Sequence, residues 1–345
     1  MTSYDYLSES AALGDPSPGS LLSVRALRLV LGQDQLLEDV TFTVGSGEVV
    51  GLVGESGSGK TLTGLSILGL APPGARLGGS VKFEGEEILG ANREELRKVR
   101  GHEIAMIFQE PRASLNPSIQ IGRQIVDVIR VHDGAMSKAQ ARQVALSLLR
   151  QVGIPNPRAS FSSYAHELSG GMCQRVMIAM ALSGNPKLLI ADEPTTALDV
   201  TVQAQIVSLL QSISYDVGLS ILLITHNLAV VSEMCNRIVT MYCGQVVNAG
   251  RTEQVITEPR HPYTRALVVA ASLDLALEGE LVEEAEMLGQ PAVASNPPSG
   301  CRYHPRCAFA EARCESTSPQ LLHLAGAGET RCLRAGELQL RVRRR

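Results

Sequence analysis

The stretch GESGSGKT, residues 54–61, follows the apolar run EVVGLVG and opens the helically spaced KTLTGLSILGL. A buried strand, a glycine-rich turn and a helix in that order leave few folds open. The glycines let the backbone turn tightly, so successive N–H groups point into one concavity. The helix N-terminus adds partial positive charge at the same place. The pattern G-x-x-x-x-G-K-[ST] predicts a phosphate cradle made by Gly54, Glu55, Ser56, Gly57, Ser58, Gly59, Lys60 and Thr61. Lys60 is placed to reach the β- and γ-phosphates of a nucleotide, and the Thr61 hydroxyl to ligate Mg²⁺. A plain glycine-rich strand-to-helix turn is the alternative for the same residues.

The chain around this loop reads as strands alternating with helices. Residues 21–53 alternate apolar and polar positions, as a small antiparallel β region leading into a buried strand does. Residues 119–152 carry helical spacing interrupted near Asp133-Gly134, and GMCQRVMIAMALSG is a further helix stopped by GNP. The apolar runs KLLIAD and SILLITH flank the helical VTVQAQIVSLLQSISYD. Strand–helix–strand alternation of this kind predicts an α/β fold with a parallel sheet covered by helices. Residues 1–20 are polar with Pro and Gly and read as a disordered leader. Residues 259–345 differ in composition, with an acidic stretch at 278–286 and a basic RVRRR end, and read as a separate C-terminal region.

With 345 residues, the chain suits one large domain plus a smaller one. Apolar residues make up 44% and aromatics 3%, with no Trp, so aliphatic side chains must build the core. The net charge of −4 gives no reason to expect nucleic acid or an anionic membrane surface as the main partner. The longest apolar runs fall short of a membrane span, and no signal segment stands at the N-terminus, which predicts a soluble, cytoplasmic chain.

Four further segments carry polar residues at places where chemistry needs them. LLIADEP, residues 188–194, ends an apolar strand on two carboxylates: Asp192 is suited to a Mg²⁺ shell and Glu193 to facing an attacking water. Capping of the following helix is the alternative for that acidic pair. LITHN ends the next buried strand at His226, and MIFQEP carries Gln109. Each suits a nucleotide site, yet each also suits a satisfied surface or turn residue. In HELSGGMCQRVMIAMAL, residues 166–182, Ser169, Gly170 and Gly171 precede a helix and form a second anion-binding turn.

Taken in order, the phosphate loop, Gln109, LSGGMCQ, LLIADE, TALD and His226 closely resemble the motif set of the ATP-binding cassette (ABC) ATPases over residues 21–258. The resemblance implies an α/β nucleotide-binding domain with a phosphate-loop parallel sheet, an antiparallel β subdomain and a helical subdomain at about 110–175. It implies ATP and Mg²⁺ as ligands, with Glu193 as general base. His226 would bind the γ-phosphate and orient the water. Gln109 would link Mg²⁺ and the nucleophile to the helical subdomain. Ser169, Gly170 and Gly171 would contact ATP held on the partner subunit's phosphate loop, with Asp199 acting across that dimer. Two departures stand out. Leu31 occupies the position where the family stacks an aromatic on adenine, which implies aliphatic packing of the base. Cys173 replaces a more usual polar or basic residue of the signature.

The segments YAHELSGGMCQRVMIAMALSGNPKLLIADEPTTALDVTVQAQI, IFQEPRASLNP, EPRHPYTRAL and NPPSGCRYHPRCAFAEARC are similar to the oligopeptide/dipeptide importer ATPases. That likeness implies a subunit that powers peptide import with a second, related ATPase, two membrane permeases and an extracellular or periplasmic peptide-binding protein. It implies a peripheral position on the cytoplasmic face of the cell membrane, and a permease-coupling groove between Gln109 and about residue 165. Import of nickel chelates or another small solute, and a non-transport ABC ATPase, are the alternatives.

Four of the seven cysteines fall at the far end, as Cys301-x5-Cys307-x6-Cys314-x17-Cys332. Thiols in a reducing compartment favour a metal or redox role over disulfides. The spacing lacks the C-x2-C pairs of ordinary zinc sites and matches no ferredoxin spacing, so ligand type leaves iron–sulfur, Zn²⁺ and free thiols open. The family resemblance implies a [4Fe–4S] cluster on these four residues, in a small Cys-rich C-terminal appendage. The remaining cysteines, 173, 235 and 243, read as packing residues.

Overall fold

The alternation at the start of the chain closes into long antiparallel strands: β1 (Ser20–Leu31) pairs with β2 (Asp34–Gly45). Leu22 and Val24 face the core, and so do Leu27 and Leu29, although the two pairs differ in parity. A bulge between Val24 and Leu27 reconciles them, because one extra residue flips the pleat. Ala26 sits there at φ 44°, and its N–H donates to Thr41 Oγ1 at 2.9 Å. In the computed structural model residues 19–196, 198–271, 289–324, 326 and 328–342 are described. Most of the expected leader, the acidic stretch 278–286 and the last three residues lie outside them.

The chain forms two compact units, one taking residues up to Ala91 and again from Leu223, the other Asn92–Leu222. In the first, β1 also pairs with β4 (Ala75–Phe83), and the short β5 (Glu86–Glu87) lies beyond it, so the antiparallel order is β2-β1-β4-β5. The same unit holds β3 (Val49–Val53), α1 (Lys60–Ile67) and, later in the chain, α9 (Leu228–Met234), β9 (Arg237–Tyr242), β10 (Gln245–Arg251), α10 (Thr252–Thr257) and α11 (Pro262–Ala270). It closes with α12 (Ala312–Ser316), β11 (Leu322–Leu324) and β12 (Gly328–Thr330).

All five residues of β3 are buried, and the strand runs parallel to β9 from Val50↔Arg237 to Val53↔Thr240. From β9 outward the sheet is antiparallel, so the expected parallel sheet is mixed. The cause is the turn Cys243-Gly244, whose residues stand at φ 47° and 79°. Two residues with positive φ close an antiparallel hairpin, whereas a parallel pair needs a long crossover. β12 then pairs with β10 at Asn248↔Thr330, and β11 with β12.

Residues from the C-terminal region thus build onto the first unit. Tyr242, Tyr263 and Tyr303 pack pairwise in tilted and edge-on contacts with ring centroids 4.6–5.3 Å apart, in a core shared with Val247 and Ala294. Three buried arginines fix the same region by charge: Arg302 to Glu38, Arg306 to Glu55 at 2.8 Å and Arg331 to Asp39 at 2.8 Å. His261 caps α11, its Nδ1 accepting the Tyr263 N–H at 3.1 Å. Burial, with Arg331 nearby, lowers its pKa to about 3, so the ring stays neutral and keeps that acceptor.

The second unit holds α2 (Arg93–Val99), β6 (Ile104–Ile107), α3 (Pro111–Ser114), α4 (Ile121–His132), α5 (Lys138–Gln151), α6 (Pro157–Ser162), α7 (Gly170–Leu182), β7 (Leu188–Asp192) and α8 (Val200–Val217). Ile121, Ile125 and Ile129 line the buried face of α4, and Ala141, Ala145 and Leu149 that of α5. Burial of each isoleucine is worth roughly 1.5–3 kcal/mol. Ser137 starts α5 with a capping box to Gln140. β6 and β7 pair in parallel, and the buried strand β8 (Ser220–Thr225) runs across the division between the units. Among the described residues no helix is long and apolar enough to cross a membrane.

Candidate nucleotide site

The phosphate-loop residues lie in the first unit, between β3 and α1. Gly54, Gly57 and Gly59 take φ 154°, 78° and 102°. At Gly54 a Cβ would stand 2.2 Å from the Met241 carbonyl oxygen, so the loop presses directly on β9. Ser58 C=O accepts the Gly244 N–H at 2.9 Å, which ties the loop to the β9–β10 turn. Lys60 is buried and folds back over the loop, donating to Gly54 C=O at 2.7 Å and Glu55 C=O at 2.9 Å. Ser56, Gly57 and Thr61 are exposed. His226, exposed just past β8, belongs to the same unit.

The second unit holds Gln109, Ser169, Gly170, Gly171, Asp192, Glu193 and Asp199. β6 and β7 pair in register up to Ile107↔Ala191. Continuing that register sets Gln109 level with Glu193 at the carboxyl end of the parallel pair, where ligands of open α/β sheets bind. Asp192 ends the fully buried β7, and Glu193 follows at φ 48°. Thr196 holds Glu193 twice: its hydroxyl donates to Oε2 at 3.1 Å and its N–H to the backbone carbonyl at 3.2 Å. Asp199 caps α8 by accepting the Val202 N–H at 2.9 Å.

Ser169 is the N-cap of α7, with Oγ accepting the Met172 N–H at 3.3 Å. Gly171 faces Val202 so closely that a Cβ would stand 2.6 Å from Cγ1. Cys173 is fully buried one turn on, and its thiol donates to the Ala165 carbonyl at 3.4 Å. Cys235 and Cys243 are buried as well.

The four C-terminal cysteines border one small cavity, together with Tyr303 and Phe309. Burial pushes the Cys301 thiol up to about 11 and Cys307 up to about 12, and the other thiols of the group add in the same direction. Cys301 N–H donates to Cys314 C=O at 2.8 Å, which joins two of the four through the backbone. Among the described residues, no three of His, Cys, Asp and Glu stand close enough to hold one metal ion.

Two residues of this neighbourhood lie in the family-like segments EPRHPYTRAL and NPPSGCRYHPRCAFAEARC, yet nothing local to them points to Glu55. The Tyr263 hydroxyl accepts the Glu55 N–H at 2.8 Å, and Arg306 donates to both Glu55 carboxylate oxygens at 2.8 and 3.1 Å. They lie 208 and 251 positions from Glu55, beyond the reach of any local pattern.

Sheet and loop together define an ATP-binding cassette. The sequence matches the ABC transporter family over residues 37–196, and the oligopeptide/dipeptide transporter C-terminal region over residues 247–314. The chain is 44% identical over 322 residues to the dipeptide transport ATP-binding protein DppD of Escherichia coli, covering 91% of this chain and 96% of that protein. It is 46% identical over 298 residues to the oligopeptide transport ATP-binding protein AppD of Bacillus subtilis, covering 86% and 90%. Among solved structures, the dimeric post-hydrolysis state of the cassette MJ0796 bound to ADP and Pi matches with a TM-score of 0.60 at 28% identity. That match covers 67% of this chain and 98% of the other. The chain belongs to the ABC transporter ATPases, within the family of oligopeptide and dipeptide transport ATP-binding proteins.

Proposed function

We propose that the chain is the ATP-hydrolysing subunit of a peptide importer, paired with a second ATPase on the cytoplasmic face of two membrane permeases that a peptide-binding protein supplies. The observation that carries this reading is the joint match to the cassette and to the oligopeptide/dipeptide C-terminal region in one chain. The test is uptake of a labelled dipeptide by vesicles holding the assembled complex. ATP-dependent accumulation is expected; accumulation of a nickel chelate with no response to peptides would overturn the cargo.

In this reading the loop 54–61 wraps the phosphates with backbone N–H groups, and Lys60 moves its charge from the Gly54 and Glu55 carbonyls to phosphate oxygens. When bound, Mg²⁺ would supply neutralisation of phosphate charge. The Thr61 hydroxyl and the Gln109 side-chain oxygen would be its ligands, with Asp192 holding its shell through water, oxygen donors that suit a hard cation. Glu193, held by Thr196, takes the proton of the attacking water, and His226 orients that water. Ser169, Gly170 and Gly171 at the start of α7, with Asp199, serve the ATP on the partner subunit's loop. α3 to α6 offer the groove for a permease helix.

The four C-terminal thiols fit a [4Fe–4S] cluster by donor type and by sharing one cavity. Zinc would draw all four sulfurs to about 2.3 Å from a single ion, and among the described residues no such grouping for any metal ion stands ready. A polynuclear cluster spaces its thiolates more widely. Such a group supplies binding energy that folds a thin-cored segment. Anaerobically purified protein is expected to carry iron and acid-labile sulfide in equal amounts. Stoichiometric zinc without sulfide would overturn the cluster.

A further inference from the structure

We propose that the C-terminal region positions the phosphate loop, with Arg306 and Tyr263 holding Glu55, so that ATP affinity depends on the fold of the cysteine-bearing segment. The proposal rests on residues 54–61 being the ATP phosphate site. Glu55 is the second residue of that loop, and both its backbone and its side chain are taken by the C-terminal region. Its N–H donates to the Tyr263 hydroxyl at 2.8 Å, and its carboxylate receives the Arg306 fork at 2.8 and 3.1 Å. The third polar group of Glu55, its carbonyl, accepts from Lys60 Nζ at 2.9 Å. One residue therefore links the C-terminal arginine to the phosphate-binding lysine.

The fork is well placed to fix geometry. A bidentate guanidinium–carboxylate pair sets orientation as well as distance. The Arg306 side chain is 5% exposed and that of Glu55 19%, so water competes little for either. The guanidinium carbon lies 5.9 Å from the ring centres of both Tyr242 and Tyr303, which confines it from two sides. A buried ion pair gives little net stability compared with an apolar pair of the same volume. Its consequence falls on where the loop sits.

Arg306 is itself set by the cysteine segment. It ends the 304–306 turn, its N–H donating to Tyr303 C=O at 3.0 Å, and Cys307 is the next residue. Cys301 C=O accepts the His304 N–H at 2.9 Å at the other end of the turn. Whatever orders or loosens Cys301–Cys307 moves the guanidinium and, through Glu55, the loop. By linkage, ATP binding orders that segment by the same factor.

The test titrates ATP into the purified full chain and four variants, Arg306→Gln, Glu55→Gln, the double variant and Tyr263→Phe, below each unfolding midpoint. Arg306→Gln is expected to weaken ATP binding about tenfold, within the usual range of coupling between sites. The double variant should lose no more than either single one, because both act through one contact. Tyr263→Phe removes one oxygen and keeps the fold, and is expected to raise KM for ATP with little change in kcat. Unchanged affinity in Arg306→Gln and Tyr263→Phe, or additive losses in the double variant, would overturn the proposal. Lys60→Ala separates the two ideas: if it binds ATP like wild type, the site assignment itself fails.

Discussion

Glu193→Gln is expected to slow ATP hydrolysis by about 10²–10⁴-fold while leaving ATP affinity near wild type. Glutamine keeps the volume of glutamate and can still accept the Thr196 hydroxyl, which stands 3.1 Å from Oε2. It cannot take a proton from water. The backbone of residue 193 is left-handed at φ 48°, an unfavourable conformation for either side chain, so the exchange adds no new strain. The second hold, Thr196 N–H to the Glu193 carbonyl, involves no side chain and persists. Phosphate release, ATP titration and size exclusion together check the result. ATP bound without turnover should accumulate a dimer, and hydrolysis at the wild-type rate would take the base role away from Glu193.

The parts of this site that are local in sequence are the parts a reader of the sequence finds. The loop 54–61 is one continuous cradle, and its flanking strand β3 is an apolar run that is buried at every position. β7 and β8 read the same way, because strands buried on both faces need no alternation. The bulge at Ala26 is hidden, since a parity switch between Val24 and Leu27 looks like ordinary noise in an alternating pattern. β12 is hidden for a different reason. It is three residues long, opens on a glycine, and gains its strand character only by pairing with β10 some eighty positions earlier. The ion pairs of Arg306 and Arg331 span 251 and 292 positions, and nothing at either end marks the partner. The C-terminal cysteines are legible as a group, whereas the contact that joins their segment to the phosphate loop is not.

Gly54→Ala should abolish ATP binding and destabilise the first unit by about 2–4 kcal/mol, combining backbone strain with an overpacked contact. Gly54 stands at φ 154°, and its added Cβ would meet Met241 O at 2.2 Å and Ser58 Oγ at 2.8 Å. The carbonyl cannot retreat, because β9 is held by its ladder to β3, with Val53↔Thr240 pairing next to it. The loop cannot retreat either. Ser58 C=O is bound to Gly244 N–H, and Gly59 lies against Leu37, where a Cβ would come within 2.7 Å. The loop backbone is thus held against β9 and the β9–β10 turn, and one methyl group forces it out of register. Gly57→Ala is the matched comparison: φ is 78°, but nothing lies within 4 Å of the added Cβ. It should cost only the left-handed backbone penalty, roughly 1–2 kcal/mol, and leave the walls in place. Thermal unfolding and ATP titration of the two variants side by side check this. Equal losses at both glycines would show that backbone conformation alone, and not the close approach to β9, governs the loop.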